Sequence, residues 1–284
     1  MKRSMLFIPG NTPSLLQNSV FLGADMLIYD LEDAVSPDEK DAARILVRNT
    51  LKSLDFTGIR TIVRINSVDS RYFEEDIKEI LPCEPDMIML PKTETAENVQ
   101  HLAEAIGDRP IGIMALIETA LGVENAFRIA GADARVQAIF LGAEDLTADL
   151  RCKRTKQGDE IMYARSRLVM AARAAEVDVY DTPFTDVRDD EGIIADAEKA
   201  KALGFTGKAS ISPRHVETIN RVFSPSTREI DHAYAVMDAI ARAKAQGRGA
   251  VALNGKMIDA PVVARAQQVI AAATEMGLGR GEQA

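Results

Sequence analysis

The sequence predicts an α/β chain folded as a (β/α)₈ TIM barrel with a C-terminal helical extension. Three observations predict it. Eight short apolar runs recur between residues 4 and 213, each bounded by turn signals and followed by a segment of helical periodicity. The runs are continuously apolar rather than alternating, as a strand buried on both faces requires and a parallel sheet supplies. Eight strand–helix units in about 215 residues match the count and spacing of a barrel. The competing architecture is a doubly wound open sheet, which rarely needs eight strands, and the first loop lacks its GxGxxG phosphate fingerprint.

In order, the runs are SMLFIPG (4–10), DMLIYDLED (25–33), RTIVRIN (60–66), DMIMLPK (86–92), IGIMALIE (111–118), AIFLGAED (138–145), VDVYDTPF (177–184) and GKASISP (207–213). The clearest helices between them cover 38–54, 95–107, 160–176 and 189–204, with Gly107 and Gly204 as C-terminal stops. Past the eighth unit the composition shifts. Residues 228–247 form an Ala-rich helix, 248–259 a short loop or hairpin, and 260–276 a further helix. The chain thus divides into a barrel over 1–225 and an extension over 226–284, too small to hold a core alone. The extension is expected to pack on the barrel or on a neighbouring subunit.

Composition narrows the function. With 34 Lys and Arg against 43 Asp and Glu, the net charge of −9 offers no footprint for nucleic acid or an anionic membrane. No segment reaches the roughly 20 apolar residues of a membrane span, and the apolar run MLFI before Pro9 is too short for a signal-peptide core. Cys83 and Cys152 sit in unrelated contexts and suggest neither a disulfide framework nor a zinc site. A reducing, cytoplasmic location follows as the expectation.

Barrel enzymes work at the C-terminal ends of their strands. The residues closing the runs are Asp30, Glu32 and Asp33 after the second, Arg64 and Asn66 at the third, and Lys92 after the fourth. Glu118 ends the fifth, Glu144 and Asp145 the sixth, Asp181 and Thr182 lie on the seventh, and Lys208 and Ser210 on the eighth. Six carboxylates aimed at one mouth repel one another unless cations intervene. A hard divalent ion held by one or two of them, with water and substrate oxygen completing its shell, meets that need as Mg²⁺ does. Glu118 and Asp145 are the best pair, since each ends an apolar strand and those strands are adjacent. Arg64 in TIVRIN needs an anion in an otherwise costly place, either a substrate oxygen or an ion pair with Glu32 or Asp33. Lys92 and Lys208 raise the rival chemistry of a Schiff-base aldolase, which neighbouring carboxylates oppose by stabilising the ammonium form. None of the three histidines ends a strand. On sequence alone, Asp259 reads as an N-cap before Ala260–Pro261.

Taken together, RSMLFIPG (3–10), YDLEDAV (29–35), IVRIN (62–66), LPKTET (90–95), IETALG (117–122), LGAEDL (141–146), LGFTGKASISPR (203–214) and LNGKMIDAPVVARA (253–266) resemble the citrate lyase β-subunit family. That family lies within the larger HpcH/HpaI-type aldolase and malyl-CoA lyase group. The resemblance implies a (β/α)₈ barrel with a C-terminal extension and a Mg²⁺ ion on Glu118 and Asp145. It also implies substrate contact by Arg64, with the backbone of Gly142, Ala143 and Glu144 helping to position a carboxylate. Glu32, Asp33 and Lys92 then act as supporting charges. Asp259 becomes a catalytic acid/base reaching into a neighbouring subunit's site, which reverses the N-cap reading and predicts a homo-oligomer, a trimer or hexamer. The implied reaction is retro-Claisen cleavage of a citryl thioester of CoA or an acyl carrier protein, giving oxaloacetate and an acetyl thioester. The implied partners are an α transferase subunit and an acyl carrier protein. Glu32 and a metal-bound water are both candidates to take the hydroxyl proton. The chain departs from the pattern at Ser212–Pro213, where relatives carry His-Pro or Asn-Pro, so citramalyl-CoA or malyl-CoA cleavage stays open. A non-catalytic carrier-binding subunit is the reading from another class.

Overall fold

Each apolar run becomes a strand in the computed structural model, which describes residues 2–245, 251–253 and 256–281. The strands are β1 (Ser4–Pro9), β2 (Met26–Asp30), β3 (Arg60–Arg64), β4 (Met87–Leu90), β5 (Gly112–Ile117), β6 (Val136–Leu141), β7 (Asp178–Asp181) and β8 (Gly207–Ser210). They pair in parallel in sequence order, and β1 returns to β8 with Ser4 opposite Lys208, closing the barrel. Around them run α1 (Pro13–Asn18), α2 (Lys40–Ser53), α3 (Phe73–Ile80), α4 (Ala96–Ile106), α5 (Ala120–Ala130), α6 (Ala143–Asp149), α7 (Met162–Ala174), α8 (Asp190–Leu203) and α9 (Val216–Phe223). The helix ends follow local chemistry. Asn98 Oδ1 accepts the Thr95 amide at 3.1 Å as α4 begins, and Gly204 ends α8 at φ +101°.

Side chains alternate across each strand, so every second residue enters the barrel. The core so formed contains Met5, Met26, Ile28, Ile62, Met87, Met89, Met114, Leu116, Ala138, Phe140, Tyr180 and Ala209. One further step along these rows reaches Asp30, Arg64, Glu118, Gly142, Thr182 and Ile211, all of which line the cavity at the strands' C-terminal ends. Core and mouth are thus one inward face, apolar below and polar above.

The strands end before their runs do, and at the sixth this moves two candidate residues off the sheet. β6 stops at Leu141, and Glu144 and Asp145 lie in the first turn of α6 rather than on the strand. Two acids there suit the unpaired amides and positive end of a helix start.

The chain forms two compact units, residues 2–220 and the part from Arg221 onward. The second comprises α10 (Thr227–Ala245), the antiparallel pair β9 (Val251–Leu253) and β10 (Lys256–Ile258), and α11 (Ala260–Glu275). Ala233, Val236, Ala239, Ile258 and Ala266 centre its small core. Residues 246–247 of the expected helix, and 248–250 and 254–255 of the expected loop or hairpin, lie outside the described residues. No described helix is long and apolar enough to cross a membrane.

Candidate active site

A cavity of about 370 Å³ opens at the C-terminal end of the barrel, and a second opening of about 440 Å³ adjoins it; Glu118 and Asp145 line both. Register creates the first charged contact. Asp30 and Arg64 are direct partners across β2 and β3, so the guanidinium lies against the carboxylate and binds it twice, Nε to Oδ1 at 2.7 Å and Nη2 to Oδ2 at 2.5 Å. Nη1 stands 3.1 Å from Glu32 Oε2, and the Phe7 ring lies 5.2 Å from the guanidinium carbon. Burial works against the charge of Arg64, but Asp30 and Glu32 outweigh it and hold the group firmly protonated. The anion that Arg64 requires within the protein is therefore chiefly Asp30, with Glu32 second. Asp33, the other expected partner, is half exposed and faces Lys92 at 4.0 Å.

Glu118 is 4% exposed, and its Oε1 accepts the backbone N–H of Lys92 at 2.8 Å. To aim that amide, Lys92 takes a left-handed backbone at φ +50°, a conformation costing a non-glycine residue on the order of 1 kcal/mol. Burial first, and then the Asp145 charge, push the Glu118 carboxyl up to about 8, despite the Lys92 amide and Arg64. Burial likewise raises Glu32. The Lys92 ammonium hydrogen-bonds Glu32 Oε1 at 3.0 Å and stands 4.0 Å from Asp145 Oδ2. Desolvation opposes its charge, but Glu32, Asp33 and Asp145 give a net upward shift. Lys208, the other Schiff-base candidate, is fully buried and locked to Asp181 Oδ2 and the Thr182 carbonyl at 2.6 Å each.

Gly142 makes the close packing possible. A Cβ built there would lie 2.7 Å from both Cβ and Oε2 of Glu118. The three backbone amides expected to position a substrate carboxylate are only partly free. Gly142 N–H pairs with Ile117 O at 3.0 Å, and Ala143 N–H with Thr182 Oγ1 at 3.2 Å. The amides of Glu144 and Asp145, one and two residues into α6, have no helical carbonyl to reach. The Glu144 side chain is well exposed, 3.6 Å from Arg154 Nε. Asp259 caps α11, its Oδ1 accepting the Val262 amide at 3.1 Å.

Sequence reasoning placed Asp30 and Thr182 among the strand-end residues without a specific role for either, and both line the cavity. It passed over Lys40, whose buried ammonium holds the carbonyls of Leu31 and Glu32 at 2.7 Å each and Asn66 Oδ1 at 2.9 Å. A lysine at a helix start carries no sequence signal of that kind. For Asp30 the signal existed, in its place on the inward row of β2.

Among the described residues no three or more His, Cys, Asp or Glu are gathered as a metal cage. What exists is a pair of carboxylates beside open volume, one buried and raised by its surroundings, the other 41% exposed. That donor set fits Mg²⁺, which takes one or two carboxylates and leaves the rest of its octahedron to water and substrate oxygen. Fold and site together define an enzyme of the (β/α)₈ barrel class, its chemistry at the C-terminal ends of the strands.

Residues 3–213 match the family model of the HpcH/HpaI aldolase/citrate lyase family. The chain is 43% identical over 279 residues to citrate lyase subunit beta of Leuconostoc mesenteroides subsp. cremoris, covering 95% of this chain and 92% of that one. It is 38% identical over 286 residues to citrate lyase subunit beta of Escherichia coli K12, covering 98% and 95%. It is also similar to the crystal structure of protein CitE from Mycobacterium tuberculosis in complex with magnesium, acetoacetate and coenzyme A. That likeness has a TM-score of 0.82 at 33% identity and covers 96% of this chain and 98% of the other. The chain belongs to the HpcH/HpaI aldolase/citrate lyase family.

Proposed function

We propose that the chain is a Mg²⁺-dependent carbon–carbon lyase that splits a citryl thioester of CoA or an acyl carrier protein into oxaloacetate and an acetyl thioester. The observation that carries this reading is the convergence of Glu118 and Asp145 on one cavity beside a doubly held Arg64. Its likeness to citrate lyase β subunits over nearly its whole length supports it.

Glu118 and Asp145 would hold the ion, with the cavity's open volume left for water and substrate oxygen. When bound, Mg²⁺ supplies Lewis-acid polarisation of the substrate's hydroxyl and neighbouring carboxylate oxygens. Glu118 is aimed by the Lys92 amide, and Asp145 by the first turn of α6. Arg64, kept charged by Asp30 and Glu32, faces the thioester oxygen and steadies its negative charge once the carbon–carbon bond has broken. The bond breaks as the hydroxyl gives its proton to Glu32 or to a water beside it and becomes the ketone; the electron pair moves to the thioester as an enolate. Asp259 returns a proton to the enolate carbon, reached from a neighbouring subunit. Phe7, Leu116, Phe140 and Ile211 form an apolar wall that limits water at the enolate. The protein is cytoplasmic, works as a homotrimer or homohexamer, and associates with an α transferase subunit and an acyl carrier protein.

The test is a thioester panel (citryl, citramalyl and malyl, on CoA and on carrier protein) assayed with Mg²⁺ and with chelator. Acetyl-thioester release from the citryl substrates should require Mg²⁺ and vanish in Asp145→Ala; release that survives both overturns the proposal. Mixing Asp145→Ala with Asp259→Ala protomers should restore activity if Asp259 acts across subunits, and inactive mixtures contradict that role.

A further inference from the structure

We infer that Thr182 is a positioning residue: its hydroxyl takes the first amide of α6, a helix whose N-cap Gly142 has no side chain to contribute, and so fixes the turn that presents Asp145. This rests on the reading of Asp145 as a metal ligand.

A helix normally begins at a residue whose own side chain accepts one of the first free amides. At α6 that position is Gly142, with no side chain and no cap of its own. Nor can it be anything larger, because the space a Cβ would fill belongs to Glu118. One residue therefore cannot both cap α6 and admit Glu118 beneath it. The acceptor comes from the next strand instead. Thr182, just past β7, is 1% exposed and takes the Ala143 N–H on its Oγ1 at 3.2 Å. The capped amide lies two residues before Asp145.

Thr182 is itself anchored. Its carbonyl accepts Lys208 Nζ at 2.6 Å. The other two contacts of that ammonium are Asp181 Oδ2 and Asp196 Oδ2, also at 2.6 Å each. Arg165 completes the cluster, with Nη2 2.8 Å from Asp181 Oδ2 and 2.7 Å from Asp196 Oδ1. Two cations and two carboxylates, each at most 4% exposed, form a charge-balanced group outside the lining of the cavity. Its mechanical output is the backbone at 182. Charged groups buried to this degree stay put only if every partner does, so Thr182 is a stiff support.

The test measures Mg²⁺ binding to the substrate-free protein by calorimetry, alongside steady-state kinetics, for wild type, Thr182→Val, Thr182→Ser and Thr182→Ala. Valine keeps the shape and removes the acceptor, and serine keeps the acceptor. The expected result is a roughly fivefold or greater loss of Mg²⁺ affinity in Thr182→Val. A matching rise in half-saturating Mg²⁺ should accompany it, with the thioester KM at saturating Mg²⁺ within about twofold of wild type. Serine should restore affinity to within about twofold. If valine does not fold, alanine carries the same comparison. Wild-type affinity in the valine or alanine variant, or a serine variant as weak as either, overturns the inference. A wild type that binds no Mg²⁺ and releases no acetyl thioester overturns the function on which the inference rests and the inference with it.

Discussion

Gly142→Ala tests the site through one methyl group. At φ −96° and ψ 97° the backbone suits alanine, so the effect is purely one of space. The added carbon lies 2.7 Å from Glu118 Cβ and Oε2 and 3.0 Å from Leu116 Cδ1. Carbon atoms in contact rest at about 3.5 Å or more, so Glu118 must retreat by roughly 0.8 Å or β6 must move outward. The Cβ of Glu118 cannot swing aside, being fixed to β5, whose neighbouring residues Leu116 and Ile117 are buried. Overpacking of this kind costs about 1–3 kcal/mol in stability. Misplacing a reacting group by about 1 Å can cost about 10²-fold in rate. The variant should therefore fold, unfold a few degrees lower in a thermal scan, and lose at least tenfold in kcat/KM for the Mg²⁺-dependent thioester cleavage. Wild-type kcat/KM and Mg²⁺ requirement in a folded Gly142→Ala would refute the claim that Glu118 depends on the glycine.

Three further outcomes follow from the charges. Glu118 is raised in the folded protein, so the stability tied to its protonated form is present below its unfolded value near 4.5 and lost as pH rises toward about 8. In chelator, the thermal midpoint of Glu118→Gln should accordingly gain on wild type as pH climbs from 5 to 8, and a constant gap between the two curves contradicts this. Lys208→Met should cost about 3–5 kcal/mol in urea unfolding by stranding Asp181 and Asp196 in the interior; a loss below about 1 kcal/mol means the cluster is less sealed than its burial indicates. Borohydride reduction with substrate should leave Lys92 unlabelled, because its carboxylate neighbours keep it an ammonium ion, and a trapped Lys92 adduct would restore the Schiff-base chemistry.

The barrel was legible because its strands are buried on both faces and so write themselves as uninterrupted apolar runs, a signal that flanking turns sharpen. Glu118 and Arg64 were legible for the same reason, each standing out as a charge at the end of an apolar row. Asp30 and Thr182 were legible as strand-end residues, and counting two by two places them at the inward positions above Ile28 and Tyr180. Asp145 was found for a partly mistaken reason, placed on a strand that in fact ends at Leu141. The helix there is only seven residues long, too short for periodicity to show, although two acids after a glycine fit a helix start. Arg64's true partner stayed hidden because Asp30 faces it through strand register, which comes from closure of the whole sheet rather than from any local pattern. Lys40 was illegible altogether: its burial arises where α2 meets the loop after β2, a tertiary event with no trace in the neighbouring residues.

The carboxylates of Asp30, Glu32, Asp33, Glu118, Glu144 and Asp145 outnumber the cations Arg64, Lys92 and Arg154 around the same entrance. A doubly anionic guest approaching this bare rim meets a field of its own sign. Under the proposed function a divalent cation on Glu118 and Asp145 would offset that field, so the ion is expected to bind ahead of the organic anion.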